Sequence, residues 1–156
     1  MTRIAGRAWW SLLRGLSVGL LLCAVSAGTL RAQSESSFDG WLNGADGYER
    51  ALENRRGTSD PVLVYFYTDW CPYCRRFNQQ IVPSPQMQDY VRHAIAVRVN
   101  PEAGARERAL ADQFHVAGYL SLFVIAPGAE QPEEIPLTGD SPEEFVAACE
   151  AAGHRR

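Results

Sequence analysis

Residues 61–77 read PVLVYFYTDWCPYCRRF, and this stretch decides the fold. Its first seven residues form a continuous apolar and aromatic run of strand length, which predicts a central strand buried on both faces. Cys71 and Cys74 follow the run directly, and Pro72 between them suits the first turn of a helix. The stretch therefore predicts a buried strand that leads into a helix with a cysteine pair at its start.

This position gives the cysteine pair a specific chemistry. A helix N-terminus offers unpaired N–H groups and a positive dipole end, and both stabilise a thiolate. We therefore expect Cys71 to be the nucleophile, Cys74 to be the resolving thiol, and the two to form a redox-active disulfide. A structural disulfide or half of a metal site is the alternative. Zinc needs four ligands, and His93, His115 and His154 lack ligand-like spacing to the pair, so we expect no metal.

Helices and strands alternate on either side of this stretch. The patterns predict helices over residues 46–56, 71–82, 84–92 and 105–115 and from 141 onward, and strands over 61–67, 94–99, 121–126 and 134–137. Early alternation predicts parallel pairing through helical crossovers, and the late strand–turn–strand predicts an antiparallel hairpin. The predicted fold class is α/β, with a mixed central sheet and helices on both faces.

The stretch at residues 61–77 resembles the active-site strand and helix of the thioredoxin family, and the resemblance extends over roughly residues 45–152. It is similar above all to bacterial exported thioredoxin-like domains, including the C-terminal domain of the transmembrane thiol–disulfide interchange protein. That likeness is carried by residues 68–71 (Thr-Asp-Trp-Cys), Phe77, Pro85 and Val91. Glutaredoxins share only the tetrapeptide at residues 71–74. The resemblance implies a thioredoxin-like three-layer sandwich and a thiol–disulfide oxidoreductase that needs no cofactor.

The resemblance also implies which residues contact a substrate. These are Trp70, Pro72 and Tyr73 around the cysteines, with Tyr119 and Leu120 from the loop before the third strand. The family usually has a proline in a cis peptide bond at the position of Leu120. Because a cis bond before a non-proline residue costs about 2.5–4 kcal/mol, we expect a trans bond here. We also expect Leu120 to narrow the range of substrates.

Two further positions bear on the cysteines. Thioredoxin itself carries a buried aspartate behind the second cysteine, where this chain has Tyr65. Tyrosine is a weak base at neutral pH, so we expect slower turnover. Cys149 shares a helical face with Phe145 and Ala148, which indicates a buried, inert thiol.

The N-terminus has the pattern of a secretory signal. Three arginines precede an apolar run at residues 16–25, and small residues follow. The run is shorter than the roughly 20 residues of a membrane span. We expect cleavage after Ala32, with Ala27 as the alternative site and an uncleaved membrane anchor as the alternative reading. Cys23, within the run, would leave with the signal.

This reading divides the chain into a signal peptide at residues 1–32, a linker at 33–45 and a thioredoxin-like domain at 46–152. It places the protein outside the cytoplasm, in the bacterial periplasm. Beyond residue 32 the chain has 11 basic and 18 acidic residues, which argues against nucleic acid as a partner. We expect a monomer whose partners are protein thiols and disulfides, with a membrane electron donor or acceptor as a further candidate. The alternative function is a non-enzymatic thioredoxin-fold module that binds a partner or holds a metal.

Overall fold

The computed structural model describes residues 37–137 and 141–154. The predicted signal, its cleavage sites and Cys23 lie outside these residues. Within the described ranges, no helix is both long enough and apolar enough to cross a membrane.

A five-stranded mixed sheet forms the centre of the domain. Its strands are β1 (Leu42–Asn43), β2 (Val62–Phe66), β3 (Ile95–Val99), β4 (Ser121–Ile125) and β5 (Glu133–Glu134). Their order in the sheet is β1-β3-β2-β4-β5. The first three pair in parallel, whereas β4 runs antiparallel to both β2 and β5. This arrangement confirms the predicted mixed sheet, with crossovers early in the chain and a hairpin late.

Five helices accompany the sheet in the described part of the chain. They are α1 (Gly44–Asn54), α2 (Pro72–Gln80), α3 (Pro85–Val91), α4 (Ala105–Gln113) and α5 (Pro142–Gly153). Three of them begin with proline, whose missing N–H would be unpaired at that position in any case. Serine caps two of these: the Ser84 hydroxyl accepts from the Met87 N–H and the Ser141 hydroxyl from the Glu144 N–H, each at 3.2 Å.

Strand β2 separates two apolar layers. Leu63 and Tyr65 face the layer that contains α2, α3 and α5. Val62, Val64 and Phe66 face the layer that contains α1 and α4. All five side chains are fully buried. The helices therefore cover both faces of the sheet, which confirms the predicted three-layer sandwich.

The last predicted strand is shorter than expected. Only Glu133 and Glu134 pair with β4, although residues 134–137 were predicted to be extended. Hydrogen bonding continues for one residue, because the Ile135 N–H donates to the Leu122 carbonyl at 2.8 Å. Pro136 follows and has no N–H to extend the ladder.

Residues 37–43, which lie within the predicted linker at 33–45, pair with the sheet and pack against its core. Leu42 and Asn43 form β1 beside β3. Phe38 and Trp41 are buried, with ring centroids 5.2 Å apart. The segment is mostly polar and was therefore not expected to pack against the core. Two buried aromatic side chains are enough to attach it.

Trp41→Ala should lower the free energy of unfolding by about 3–5 kcal/mol, the usual cost of truncating a large buried side chain. The exposed Trp70 supplies a matched control, and Trp70→Ala should cost less than about 1 kcal/mol. Chemical denaturation followed by circular dichroism measures both. If both substitutions lower the free energy of unfolding by the same small amount, residues 37–43 act as a linker.

Candidate active site

Cys71 and Cys74 lie where β2 passes into α2. Cys71 is the N-cap residue of α2, with an extended backbone (φ −67°, ψ 117°), and its sulfur accepts a hydrogen bond from the Cys74 N–H at 3.2 Å. Its own N–H donates to the Thr68 carbonyl at 3.3 Å. Both cysteines carry free thiols and are 1% exposed. The first sulfur therefore lies at the N-terminus of α2, where it accepts one of the free N–H groups of the first turn.

The second thiol has a different environment. Burial raises the pKa of Cys74 to about 11, and the Cys71 side chain adds to this effect. The backbone of Thr68 and the Tyr65 hydroxyl lower the pKa of Cys74, but their effect is smaller than that of burial. Cys74 is therefore a thiol at neutral pH.

Tyr65 fills the core directly behind the pair. Its hydroxyl donates to Asn78 Oδ1 at 3.0 Å, and its ring packs against those of Phe77 and Tyr67, with centroids 5.1 and 5.4 Å away. Burial, and then the proximity of Cys74, raise the pKa of Tyr65 well above its usual range. The group behind Cys74 is therefore neutral throughout the physiological range.

Sequence reasoning identified Tyr65 but missed Asn78. The available signal was spacing, because Asn78 follows Cys74 by four residues and so lies on the same face of a helix. Glu102 was also missed. Glu102 contacts Trp70, which lies 32 residues earlier in the sequence, and no local pattern indicates that contact.

Glu102 fixes Trp70 at the rim of the site. The Trp70 Nε1–H lies 3.0 and 3.1 Å from the two carboxylate oxygens of Glu102. The rings of Trp70 and Tyr119 pack nearly at right angles, with centroids 6.1 Å apart. The Arg75 side chain donates to the Trp70 carbonyl at 3.2 Å. Trp70 nevertheless remains 61% exposed.

A groove of about 360 Å³ lies along α2 from Tyr73 onward, and neither Cys71 nor Cys74 lines it. It brings together three predicted site residues, Tyr73, Tyr119 and Leu120, with a mainly apolar lining. The rest of the lining is Arg76, Phe77, Gln80, Ile81, Leu137 and Phe145. Trp70 and Pro72 lie outside this lining.

The peptide bond between Tyr119 and Leu120 is cis, so the expected trans bond is wrong. The expectation rested on the intrinsic preference of a single bond. In the folded domain this loop is held on both sides, since Tyr119 packs on Trp70 and the Ser121 hydroxyl donates to the Gly118 carbonyl at 2.9 Å. Tertiary contacts thus outweigh the local preference.

The remaining candidates lie away from the groove. Cys149 is fully buried on α5, and burial raises its pKa to about 12. Across residues 37–137 and 141–154, no group of three or more His, Cys, Asp or Glu side chains is arranged to hold a metal ion.

Comparison with known proteins places these features in a family. A family described as thioredoxin-like matches residues 41–127. Thiol:disulfide interchange protein DsbD 1 of Pseudomonas aeruginosa is 25% identical over 136 residues, which are 85% of this chain and 23% of that protein. DsbD of Salmonella typhi is 28% identical over 138 residues, which are 83% of this chain and 24% of that protein. The chain thus spans about a quarter of the length of these relatives.

Two solved structures have the same fold. The DsbH oxidoreductase superposes with a TM-score of 0.62 at 22% identity, over 74% of this chain and 85% of that one. The oxidised C-terminal domain of DsbD from Neisseria meningitidis superposes with a TM-score of 0.59 at 17% identity, over 72% and 98%.

The raised pKa values predict which thiols resist alkylation. Near pH 8, Cys74 and Cys149 in the reduced protein should react with iodoacetamide at least about tenfold more slowly than a free cysteine, whose pKa is about 8.5. At pH values below the pKa of a thiol, its thiolate fraction changes about tenfold per pH unit. Labelling of Cys74 should therefore increase about tenfold per pH unit as the pH approaches 11. Peptide mass mapping measures each site, with the denatured chain as control. Labelling of Cys74 at the free-cysteine rate would contradict this account.

Proposed function

Because the chain belongs to the thioredoxin-like family, we propose that it is a thiol–disulfide oxidoreductase that exchanges disulfides with protein partners through Cys71 and Cys74. One observation carries this proposal: the Cys71 sulfur caps α2 and accepts the Cys74 N–H. In general, a helix N-terminus favours the thiolate form of a cysteine, which is the form that attacks a disulfide.

The reaction proceeds in two exchanges. In the first, the Cys71 thiolate attacks one sulfur of a partner disulfide, so that a mixed disulfide forms and the other partner sulfur leaves and takes up a proton. In the second, Cys74 loses its proton and attacks the Cys71 sulfur, which releases the second partner thiol. The partner gains two electrons and two protons, and the Cys71–Cys74 pair is oxidised. The reverse sequence oxidises a partner through the same atoms.

The surface around the pair supports a protein partner. Trp70 and Tyr73 are 61% and 69% exposed beside the cysteines, and aromatic side chains of this kind commonly anchor interfaces. We propose that Trp70, Pro72, Tyr73, Tyr119 and Leu120 contact the partner chain. A membrane protein that donates or accepts electrons is one such partner, and the domain acts as a monomer.

Cys74→Ser should trap a disulfide-linked complex with a partner, and Cys71→Ser should not, because only Cys71 lies at the helix start. Non-reducing electrophoresis followed by mass spectrometry detects the adduct. Cys149→Ser serves as the control and should behave as wild type. Equal trapping by both active-site variants would reverse the assigned roles. If neither variant traps a partner and the pair never cycles with reductant, the non-enzymatic module becomes the better description.

We also propose that the domain works outside the cytoplasm, in the bacterial periplasm. The support is the charged, apolar and small-residue order of residues 1–32. N-terminal sequencing of protein recovered from fractionated cells should give a mature chain that begins near Gln33. Recovery of only the intact Met1 form, in membranes, would replace cleavage with anchoring.

We propose further that Leu120 restricts the range of substrates, since it lines the same groove as Tyr73, which lies between the two cysteines in the sequence. Leu120→Ala should widen the groove and raise disulfide-reductase activity on an unfolded model protein severalfold. Leu137→Ala, at an exposed leucine of the same groove, is the matched control and should change this activity less. Circular dichroism must first show that both variants are folded. Leu120 does not restrict substrates if both variants change the reductase activity equally. The same conclusion follows if the wild type is already as active as an ordinary thioredoxin.

A further inference from the structure

Two exposed carboxylates lie at the rim of the active site together with Trp70. Asp69 precedes this tryptophan in the loop between β2 and α2, and Glu102 lies in the loop after β3. The Asn100 side chain joins the two loops, because its Oδ1 accepts the Glu102 N–H at 2.9 Å and its Nδ2 donates to Asp69 Oδ2 at 3.4 Å. We call the three side chains of Asp69, Trp70 and Glu102 the acidic rim.

The acidic rim carries a net negative charge. Across residues 37–137 and 141–154, no basic side chain forms an ion pair with Asp69 or Glu102. Arg75 reaches this surface, but its guanidinium donates to the carbonyls of Trp70 and Asp69, at 3.2 and 3.5 Å. Two carboxylates therefore face one guanidinium, and one negative charge is left without compensation.

The Trp70 ring adds a second attraction for a cation. The Nε1–H that Glu102 accepts lies in the plane of the indole, so this hydrogen bond covers neither face of the ring, and Trp70 is 61% exposed. Cations are attracted to the face of an aromatic ring, and most strongly to that of tryptophan. A guanidinium stacked on the ring would lie close to the carboxylate at its edge. This arrangement suits the planar fork of arginine better than the compact ammonium of lysine.

Other partner side chains fit this surface less well. A carboxylate on the partner would meet two like charges, which disfavours association. An apolar side chain would take water from the carboxylates of Asp69 and Glu102 and offer no hydrogen bond in return. Charge and ring chemistry thus favour the same kind of occupant.

We propose that the acidic rim selects protein partners with an arginine next to the cysteine that Cys71 attacks. The proposal rests on the exchange reaction described above and names the chemistry of its partner. The arginine stacks on Trp70 and pairs with Glu102 and Asp69 while the partner sulfur meets Cys71. Because Trp70 directly precedes Cys71 in the chain, the side chain that covers its ring belongs to a residue close to the attacked cysteine.

The test uses three short peptides, each with one cysteine linked as a disulfide to a coloured aromatic thiol. The residues on both sides of that cysteine are arginine, glutamine or glutamate. The full chain carries Cys23→Ser and Cys74→Ser, so that only the first exchange takes place. The Cys71 thiolate forms a bond to the peptide sulfur and expels the aromatic thiolate, which is the better leaving group, and the colour reports this rate. The reaction of each peptide with 2-mercaptoethanol, a neutral thiol, corrects for its intrinsic reactivity.

The concentration of peptide that gives half the maximal rate measures recognition. At low salt, this concentration should be at least about fivefold lower for the arginine peptide than for the glutamate peptide, the combined effect of an exposed ion pair and a cation–π contact. The glutamine peptide should lie between them. Salt at about 1 M should remove most of the difference, because dissolved ions screen exposed charges.

Glu102→Gln and Asp69→Asn remove charge but keep the shape of each side chain. The amide oxygen of glutamine can still accept the Trp70 N–H, so the ring keeps its position. Each variant should lower the preference for arginine over glutamate at least about twofold, and the double variant should remove most of it. Glu150→Gln is the matched control, since this exposed glutamate lies with Pro61 in a cavity at the start of β2, the strand end opposite to the cysteine pair. It should leave the preference unchanged.

The outcomes are distinct. A preference for arginine that falls with salt and in Glu102→Gln and Asp69→Asn, but not in Glu150→Gln, supports the proposal. Equal half-saturating concentrations for the three peptides overturn it and leave the exchange function intact, as does a preference that is the same in all three variants. Release of colour no faster than from Cys71→Ser would defeat the proposed exchange reaction, and the partner preference with it.

Discussion

Burial of β2 on both faces is the constraint on which the rest of the structure depends. All five of its side chains are inaccessible to solvent, and each large apolar side chain buried in this way contributes about 1.5–3 kcal/mol. Alternate residues serve opposite layers, so a shift of one position would move every side chain to the wrong core. This fixed register also determines where the strand ends, and the strand end determines where α2 begins. The Cys71 sulfur reaches its capping position because the strand before it cannot slip.

The sequence predicted those features that depend on local patterns. The apolar run at β2, the prolines at helix starts and the Cys-x-x-Cys spacing are readable without any tertiary information, and they led to the mixed sheet and to the cysteine pair. The contribution of Phe38 and Trp41 was not readable in this way, because two aromatics in a polar segment do not reveal what they pack against. The bond before Leu120 was predicted wrongly for the same reason, since intrinsic preference says nothing about the contacts that hold a loop. Asn78 and Glu102 become visible only once side chains distant in sequence are brought together.

The interior behind the cysteines is neutral and aromatic. Where thioredoxin has a charged aspartate, this chain has Tyr65, whose ring packs against that of Phe77. Trp41 packs against the same tyrosine nearly at right angles, and the centroids of the two rings are 6.5 Å apart. The N-terminal segment therefore reaches the redox site through one aromatic contact. A carboxylate in this position would have to be buried without a cation nearby, at a considerable cost in desolvation. In such a core the buried thiol of Cys74 ionises only at high pH, because burial raises its pKa to about 11.

The hydrogen bonds between Trp70 and Glu102 bear on the partner contact that we propose for Trp70. An exposed tryptophan that rotates freely must give up that freedom when a partner covers it, and ordering a side chain at an interface costs roughly 0.5–1.5 kcal/mol. Here the two carboxylate oxygens of Glu102 and the ring of Tyr119 hold the Trp70 ring in one orientation. That entropy is lost during folding, so in the proposed complex the ring would meet a partner as a rigid, preorganised surface. In the proposed exchange reaction the intermolecular disulfide holds the complex together, so the non-covalent affinity need only be modest.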